Sequence, residues 1–372
     1  MQAHTETAGA YASPLRPEEL RRLFAELRQT KNMRHLDIAQ KLGISEGALI
    51  AAHAGLTAVE GTTGLRATKL QNNWPQIIAD LESLGTVMAL TRNPSCVHEK
   101  SGVYTNIALN GDVGLVLSDA IDLRIFYGQW QHGFAVTEDT ANGPQRSLQF
   151  FDITGRAVHK VFLKASSHVA AYESLVTQWQ AADQGELFVT HTPPPEPAEL
   201  DDSAVDAACF LQDWAALQDT HDFFGLLKKH QVSRPQAMRL AQGQFVNKTA
   251  NTSVQRLLNL AVQQQTPIMV FVGNPGVIQI HTGLIGKVAV MGPWVNVLDP
   301  DFNLHLREDQ IDSAWIVRKP TRDGWVHSLE IFDRTGNTIA MFFGLRKPGI
   351  TESSDWRDML LQIETEDATC LT

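Results

Sequence analysis

The chain repeats itself. Residues 87–94, VMALTRNP, line up with residues 268–275, IMVFVGNP, at an offset of 181. At the same offset Gly102 falls on Gly283, Gly111 on Gly292, and SLQFFDITG (147–155) on SLEIFDRTG (328–336). The register holds without a gap over about seventy residues, which is the mark of a duplicated unit. Two similar folds of roughly 165 residues must therefore each close a core of their own. Upstream the echo continues with a slip of seven: DIAQKLGIS (37–45) resembles GLLKKHQVS (225–233). Each repeat begins with helices and ends with strands.

Between the copies lies DQGELFVTHTPPPEPAELDD (183–202), with four prolines and a run of acids. That composition predicts a solvated, partly extended linker. The expected organisation is an N-terminal repeat over 1–182, whose residues 1–14 form a flexible tail, a linker over 183–206, and a C-terminal repeat over 207–372.

Composition closes several classes. Hydrophobic residues make up 43% and charged residues 19%, so disorder is not the main state. The net charge of −10 speaks against nucleic acid and against an anionic membrane surface. No apolar run is long enough to span a bilayer, so stable membrane insertion is not expected. The three cysteines, Cys96, Cys209 and Cys370, are far apart and form no C-x-x-C pair. The N-terminus has no basic region followed by an apolar stretch, and the expected location is a reducing cytoplasm.

Periodicity gives coarse elements. Leu20, Leu23, Phe24 and Leu27 share one face of a helix starting at Pro17. Residues 210–229 read as one amphipathic helix, with Phe210, Trp214, Leu217, His221 and Phe224 as its stripe. Residues 147–151 and 328–332 read as strands, each followed by Asp-x-Thr-Gly, a turn whose Gly suits a left-handed backbone. Residues 158–163 and 339–343 are the return strands. Helices segregated from antiparallel strands predict an α+β fold, once per repeat.

Nucleotide-loop, dinucleotide, zinc-protease and nucleophile-elbow motifs are absent. Residues 34–55 have the outline of a helix-turn-helix, but the second helix, Ser45 to Ala52, has no Arg or Lys for phosphate or base edges. A helical corner packed on the sheet is the simpler reading. His221, in DTHDFFG (219–225), is either a satisfied core histidine or an iron ligand, since neutral imidazole is a common metal donor. Its counterpart in the first repeat falls near Met33, so it is not shared scaffold. Arg124, in DLRIF (122–126), is either solvent-facing or an anion contact. Lys319 and Arg346 stand near strand ends and read as exposed termini. Arg124 differs from its counterpart His305, and His98 from Gln279.

Taken together, RNPSCVHE (92–99), DLRIF (122–126), DTHDFF (219–224), IMVFVGN (268–274), LHL (304–306), VRKP (317–320) and SLE (328–330) resemble the bacterial cytoplasmic hemin-degrading or hemin-transport family, the HemS/ChuS/HmuS type. The resemblance spans about residues 30–350. It implies tandem halves, each a large antiparallel β-sheet packed with helices, and a haem cleft between the halves. It implies His221 as the axial ligand to haem iron and Arg124 as the distal, catalytic arginine. Phe271 matches a pocket aromatic. Lys319, Arg346 and Arg234 match basic residues near the propionates or the distal side, and His98 and His305 match histidines of a second haem contact. Phe343 stands where several members have Tyr, so that hydroxyl is lost.

The function so implied is binding of haem b (hemin) and its degradation by reductant- and O2-dependent ring opening, with an external electron donor. The alternative is a non-enzymatic haem chaperone or store that delivers to a separate haem oxygenase. An inner-membrane haem importer is the implied upstream partner.

Overall fold

The computed structural model describes residues 10–12, 15–31, 33–56, 64–185, 188–192, 199–346 and 349–370. Its contacts divide the chain into two units. The first comprises residues 1–92, 99–195 and 274–278; the second comprises 93–98, 196–273 and 279–372.

The helices of the first repeat are α1 (Pro17–Lys31), α2 (His35–Leu42), α3 (Glu46–Ala51), α4 (Trp74–Asp80) and α5 (Val169–Trp179). Its strands are β1 (Ala10–Ala12), β2 (Leu65–Lys69), β3 (Val87–Arg92), β4 (Cys96–Gly102), β5 (Ile107–Asn110), β6 (Val113–Leu117), β7 (Asp122–Phe126), β8 (His132–Thr140), β9 (Gly143–Phe151), β10 (Ala157–Leu163) and β11 (Val189–His191). They lie side by side in the orders β4-β3-β10-β9-β8-β2 and β7-β6-β5.

The second repeat adds helices α6 (Ala207–Ala215), α7 (Asp222–His230), α8 (Arg234–Leu240), α9 (Ser253–Gln264) and α10 (Ser354–Cys370). Its strands are β12 (Val246–Thr249), β13 (Ile268–Asn274), β14 (Val277–Gly283), β15 (Val288–Met291), β16 (Trp294–Leu298), β17 (Phe302–Arg307), β18 (Ser313–Thr321), β19 (Gly324–Phe332) and β20 (Thr338–Gly344). Their orders, β14-β13-β20-β19-β18-β12 and β17-β16-β15, reproduce those of the first repeat strand for strand. The architecture is α+β, built on large antiparallel sheets.

The turn glycines are where the sequence puts them. Gly155 and Gly336 have φ of 78° and 82°, the left-handed region that a Cβ disfavours. Asp152 and Asp333 hold each turn through their side-chain oxygens. The duplication also shows in equivalent asparagines: the Asn93 amide donates to the carbonyls of Gly273 and Ile339, and the Asn274 amide to those of Arg92 and Val158.

Three expectations are corrected. Ala10–Ala12, placed in the flexible tail, forms a strand antiparallel to Val189–His191 of the expected linker; residues 1–9, 13–14 and 193–198 lie outside the described residues. His191 is accordingly half-buried in that strand. The single helix over 210–229 is two helices, broken over 216–221. Among the described residues no helix is long and apolar enough to cross a membrane.

In the first unit α2 and α3 form the helical corner. Ser45 caps α3 by accepting from the Ala48 N–H, and every residue of α3 is buried. The face that a recognition helix would present is therefore inside the protein. Glu46, 4% exposed, accepts from Lys160 Nζ at 2.7 Å and also pairs with Arg92. Burial alone would raise the Glu46 carboxyl, but the two cations outweigh it and hold it at about 2, against an ordinary 4.5. A depressed carboxylate stabilises the fold fully above its unfolded value, and that contribution is lost as pH falls from about 4.5 toward 2. Glu46→Gln should thus destabilise the protein at pH 7 and flatten the acid limb. Urea midpoints at pH 7 and pH 3 check this: the variant should lose less between the two pH values than the parent.

Candidate functional site

In the second unit one sheet face is closed. Val270, Ile316, Leu329, Ile331, Ala340 and Phe342 pack under α9 and α10 with Leu257, Leu258, Ala261, Trp356 and Met359. The opposite face divides in two. Trp315, Val317 and Phe332 lie under α6, α7 and α8. Beyond them Met269, Phe271, Met341 and Phe343 remain half-exposed.

Cross-strand register places these side chains together. Directly opposed residues of antiparallel strands share a face. Trp315 opposes Glu330, Glu330 opposes Met341, and Met341 opposes Phe271. In the next row Val317 opposes Ser328, Ser328 opposes Phe343, and Phe343 opposes Met269. Lys319 follows on the same face of β18. The Phe271 and Phe343 rings meet edge-on at 5.1 Å. The result is an apolar floor of two thioethers and two aromatic rings, open on one side.

A charged hub borders that floor. Glu330 is fully buried and accepts from Lys319 Nζ at 2.6 Å, from Arg234 Nε at 2.7 Å and from the Ser328 hydroxyl at 3.0 Å. Lys319 is only 2% exposed, which corrects its reading as an exposed strand terminus. Its ammonium also lies 4.5 Å from the Phe223 ring centroid, and the Arg234 guanidinium 5.2 Å from it. Burial would raise the Glu330 carboxyl, but the two cations hold it far below the usual range. Burial pushes the Lys319 ammonium down. The hub holds one anion against two cations, so it leaves a net positive charge beside the apolar floor.

His221 ends the 216–221 break at the N-cap of α7. It is not on an apolar stripe: its side chain is 90% exposed, and Phe224 beside it is 74% exposed. Asp219 creates the break. Its Oδ1 accepts from the His221 backbone N–H at 2.9 Å and contacts His221 Nδ1 at 2.6 Å. Such a local turn competes with continued helix. The His221 N–H, with a smaller pull from Arg346, holds the Asp219 carboxyl below its ordinary range. A carboxylate there accepts the hydrogen bond from Nδ1–H, which leaves Nε2 as the nitrogen with the lone pair. Arg346, half-buried just after β20, pairs with Asp323 at 3.8 Å.

The second unit thus places Phe271 and Phe343 on a half-exposed sheet face, Lys319 and Arg234 in the charged hub that borders it, His221 at the start of α7 and Arg346 just after β20. His98 is different. It is fully buried, bonded through Nδ1 to its repeat counterpart Gln279 at 2.9 Å, with its ring 4.9 Å from Phe302. That is a core position rather than a ligand-facing one. His305 lies in the separate strand set β17-β16-β15, half-buried, with Nδ1 2.7 Å from Asn296 Oδ1. In the first unit Arg124 is half-exposed on β7 and pairs with Asp122 two residues away. Sequence reasoning gave no role to Glu330 or Asp219, the two carboxylates that organise the site.

The first unit shows why the repeats differ. At the offset of 181, Glu330, Met341 and Phe271 correspond to Gln149, Lys160 and Leu90. A buried lysine paired with Glu46 stands where the second repeat has Met341. The apolar floor is therefore continuous in the second repeat and interrupted by charge in the first.

A family model described as the haemin-degrading HemS.ChuX domain matches residues 43–179 and again 231–363. The chain belongs to this family. It is 40% identical over 334 residues to the hemin transport protein HmuS of Yersinia pestis, covering 89% of this chain and 93% of that protein. Among solved structures it is similar to holo-PhuS, a heme-binding protein from Pseudomonas aeruginosa, with TM-score 0.88 and 45% identity over 92% of this chain and 97% of that one. The heme degrading enzyme ChuS of Escherichia coli O157:H7 matches with TM-score 0.82 and 36% identity, over 93% of this chain and 99% of that one. The family is thus one of haem binding, hemin transport and hemin degradation.

Proposed function

We propose that this chain binds haem b (hemin) on the open face of its second unit, with His221 as the axial ligand to iron, and degrades it. One observation carries the reading. An exposed imidazole whose Nδ1 is held by a carboxylate lies two residues before Phe223, whose ring packs on the cationic hub that borders the apolar floor. Those donors fit the ligand. A macrocycle needs a flat apolar surface, its propionates need cations, and its iron needs a neutral imidazole nitrogen.

The residues then have separate tasks. Asp219 fixes the tautomer and orientation of His221 and raises its basicity. Met269, Phe271, Met341 and Phe343 exclude water from one side of the ring. Lys319 and Arg234 are already committed to Glu330, so they act on propionates as a net field. Arg346, whose contact with Asp323 is long at 3.8 Å, is freer to turn onto a carboxylate. For Arg124 the support is the family likeness and a half-exposed guanidinium. Its guanidinium would supply a charge-assisted hydrogen-bond donor for the ring-opening chemistry. Haem itself supplies the O2 and redox chemistry once an external donor reduces it. A cytoplasmic location and an inner-membrane importer upstream belong to the same proposal.

The relatives are described variously as binding, transporting and degrading, so the decisive assay is turnover. Hemin-loaded protein given ascorbate, with catalase present, should lose its Soret band and release a linear tetrapyrrole. An unchanged spectrum would reject degradation and leave the carrier reading, in which haem passes to an added haem oxygenase.

A further inference from the structure

We propose that Cys209, Asp213 and His230 form a binding site for Zn2+, separate from the haem face. Cys209 and Asp213 stand one helical turn apart on α6, and His230 ends α7. One ligand atom from each, thiol sulfur, carboxylate oxygen and ring nitrogen, lies within 4.8 Å of the other two. Tetrahedral zinc with bonds of about 2.0–2.3 Å holds its ligands roughly 3.3–3.8 Å apart. The three donors need only small side-chain adjustments to meet that geometry.

The donors are also prepared. The His230 ring is 10% exposed and packs edge-on against Phe210 at 5.4 Å, so its plane is set. Its Nε2 faces Asp213 Oδ2 at 2.6 Å. The same oxygen already attracts a cation, Lys229 Nζ, at 2.6 Å. Lys229 is 63% exposed and free to swing into water when a metal takes its place. Cys209 is exposed, which leaves an entry path. One thiolate, one imidazole and one carboxylate make three protein ligands, and water completes four-coordination. Because the thiol must lose its proton, binding should strengthen as pH rises. The nine residues of α7 put roughly 13 Å between this site and His221. A metal joining the two helices would brace the 216–221 turn that carries His221.

The test uses the haem-free full chain, stripped with a chelator. Co2+ titration should show saturable one-to-one binding with a thiolate-to-cobalt charge-transfer band, displaced by Zn2+. Cys209→Ser should abolish the band, and His230→Asn should weaken Zn2+ binding by at least about tenfold. Cys370→Ser and His221→Ala should leave both unchanged, so this result is independent of the haem proposal. Absence of saturable binding by the parent chain, or an undiminished band in Cys209→Ser, would overturn the site.

Discussion

Replacing Glu330 by alanine should destabilise the second unit by about 3–5 kcal/mol, the largest stability effect expected of a single substitution here. The change removes the buried anion that Lys319 and Arg234 share and strands a lysine that is 2% exposed. Arg234 can turn to water, since a quarter of its side chain is exposed, but Lys319 has Phe223 over it and Val317 beside it on the strand. An unpaired buried ammonium must either stay charged at high cost or give up its proton. A loss of this size is a large part of a typical domain's stability, so urea unfolding should show an early transition for the second unit. The double variant Glu330→Met with Lys319→Met separates the causes. If the unpaired charge is responsible, the double variant recovers most of the loss. If packing is responsible, it recovers none.

His221→Ala should weaken hemin binding by at least about tenfold, the lower end of what lost support for a metal ligand costs and so a lower bound for losing the ligand itself. The side chain is 90% exposed and contributes little to the core, so stability should hold. Asp219→Asn is the graded companion. It keeps the shape of the turn but removes the carboxylate that accepts the hydrogen bond from Nδ1–H. A smaller affinity loss with an altered iron spectrum is expected for it. Hemin titrations followed at the Soret band, with denaturant midpoints as a control on folding, measure both. Equal affinities for parent and His221→Ala would remove His221 from the site.

Much of this was legible in the sequence, and the failures have specific causes. The offset of 181 survives as matching strand orders because the strands are the duplicated scaffold. The Asp-x-Thr-Gly turns were readable because Gly155 and Gly336 need positive φ. The break before His221 was not, because Phe210, Trp214 and Leu217 keep helical spacing right up to it. Its signal was Asp219, whose side chain can accept from the N–H two residues on. The burial of Lys319 had a signal too, since it alternates in phase with Val317. Its partner Glu330 lies eleven residues further along, and only the hairpin register of β18 and β19 brings the two together. His98 misled for the opposite reason. It differs from Gln279 because the two counterparts are hydrogen-bonded to each other in the core.

The central claim is that His221 binds the iron, and the iron–ligand vibration reports it directly. The reduced, hemin-loaded protein should show an iron–histidine stretch in its resonance Raman spectrum. His221→Ala should lose that band and regain an iron–imidazole band when imidazole is added. The same band in His221→Ala without imidazole would contradict the account and place the ligand on another histidine.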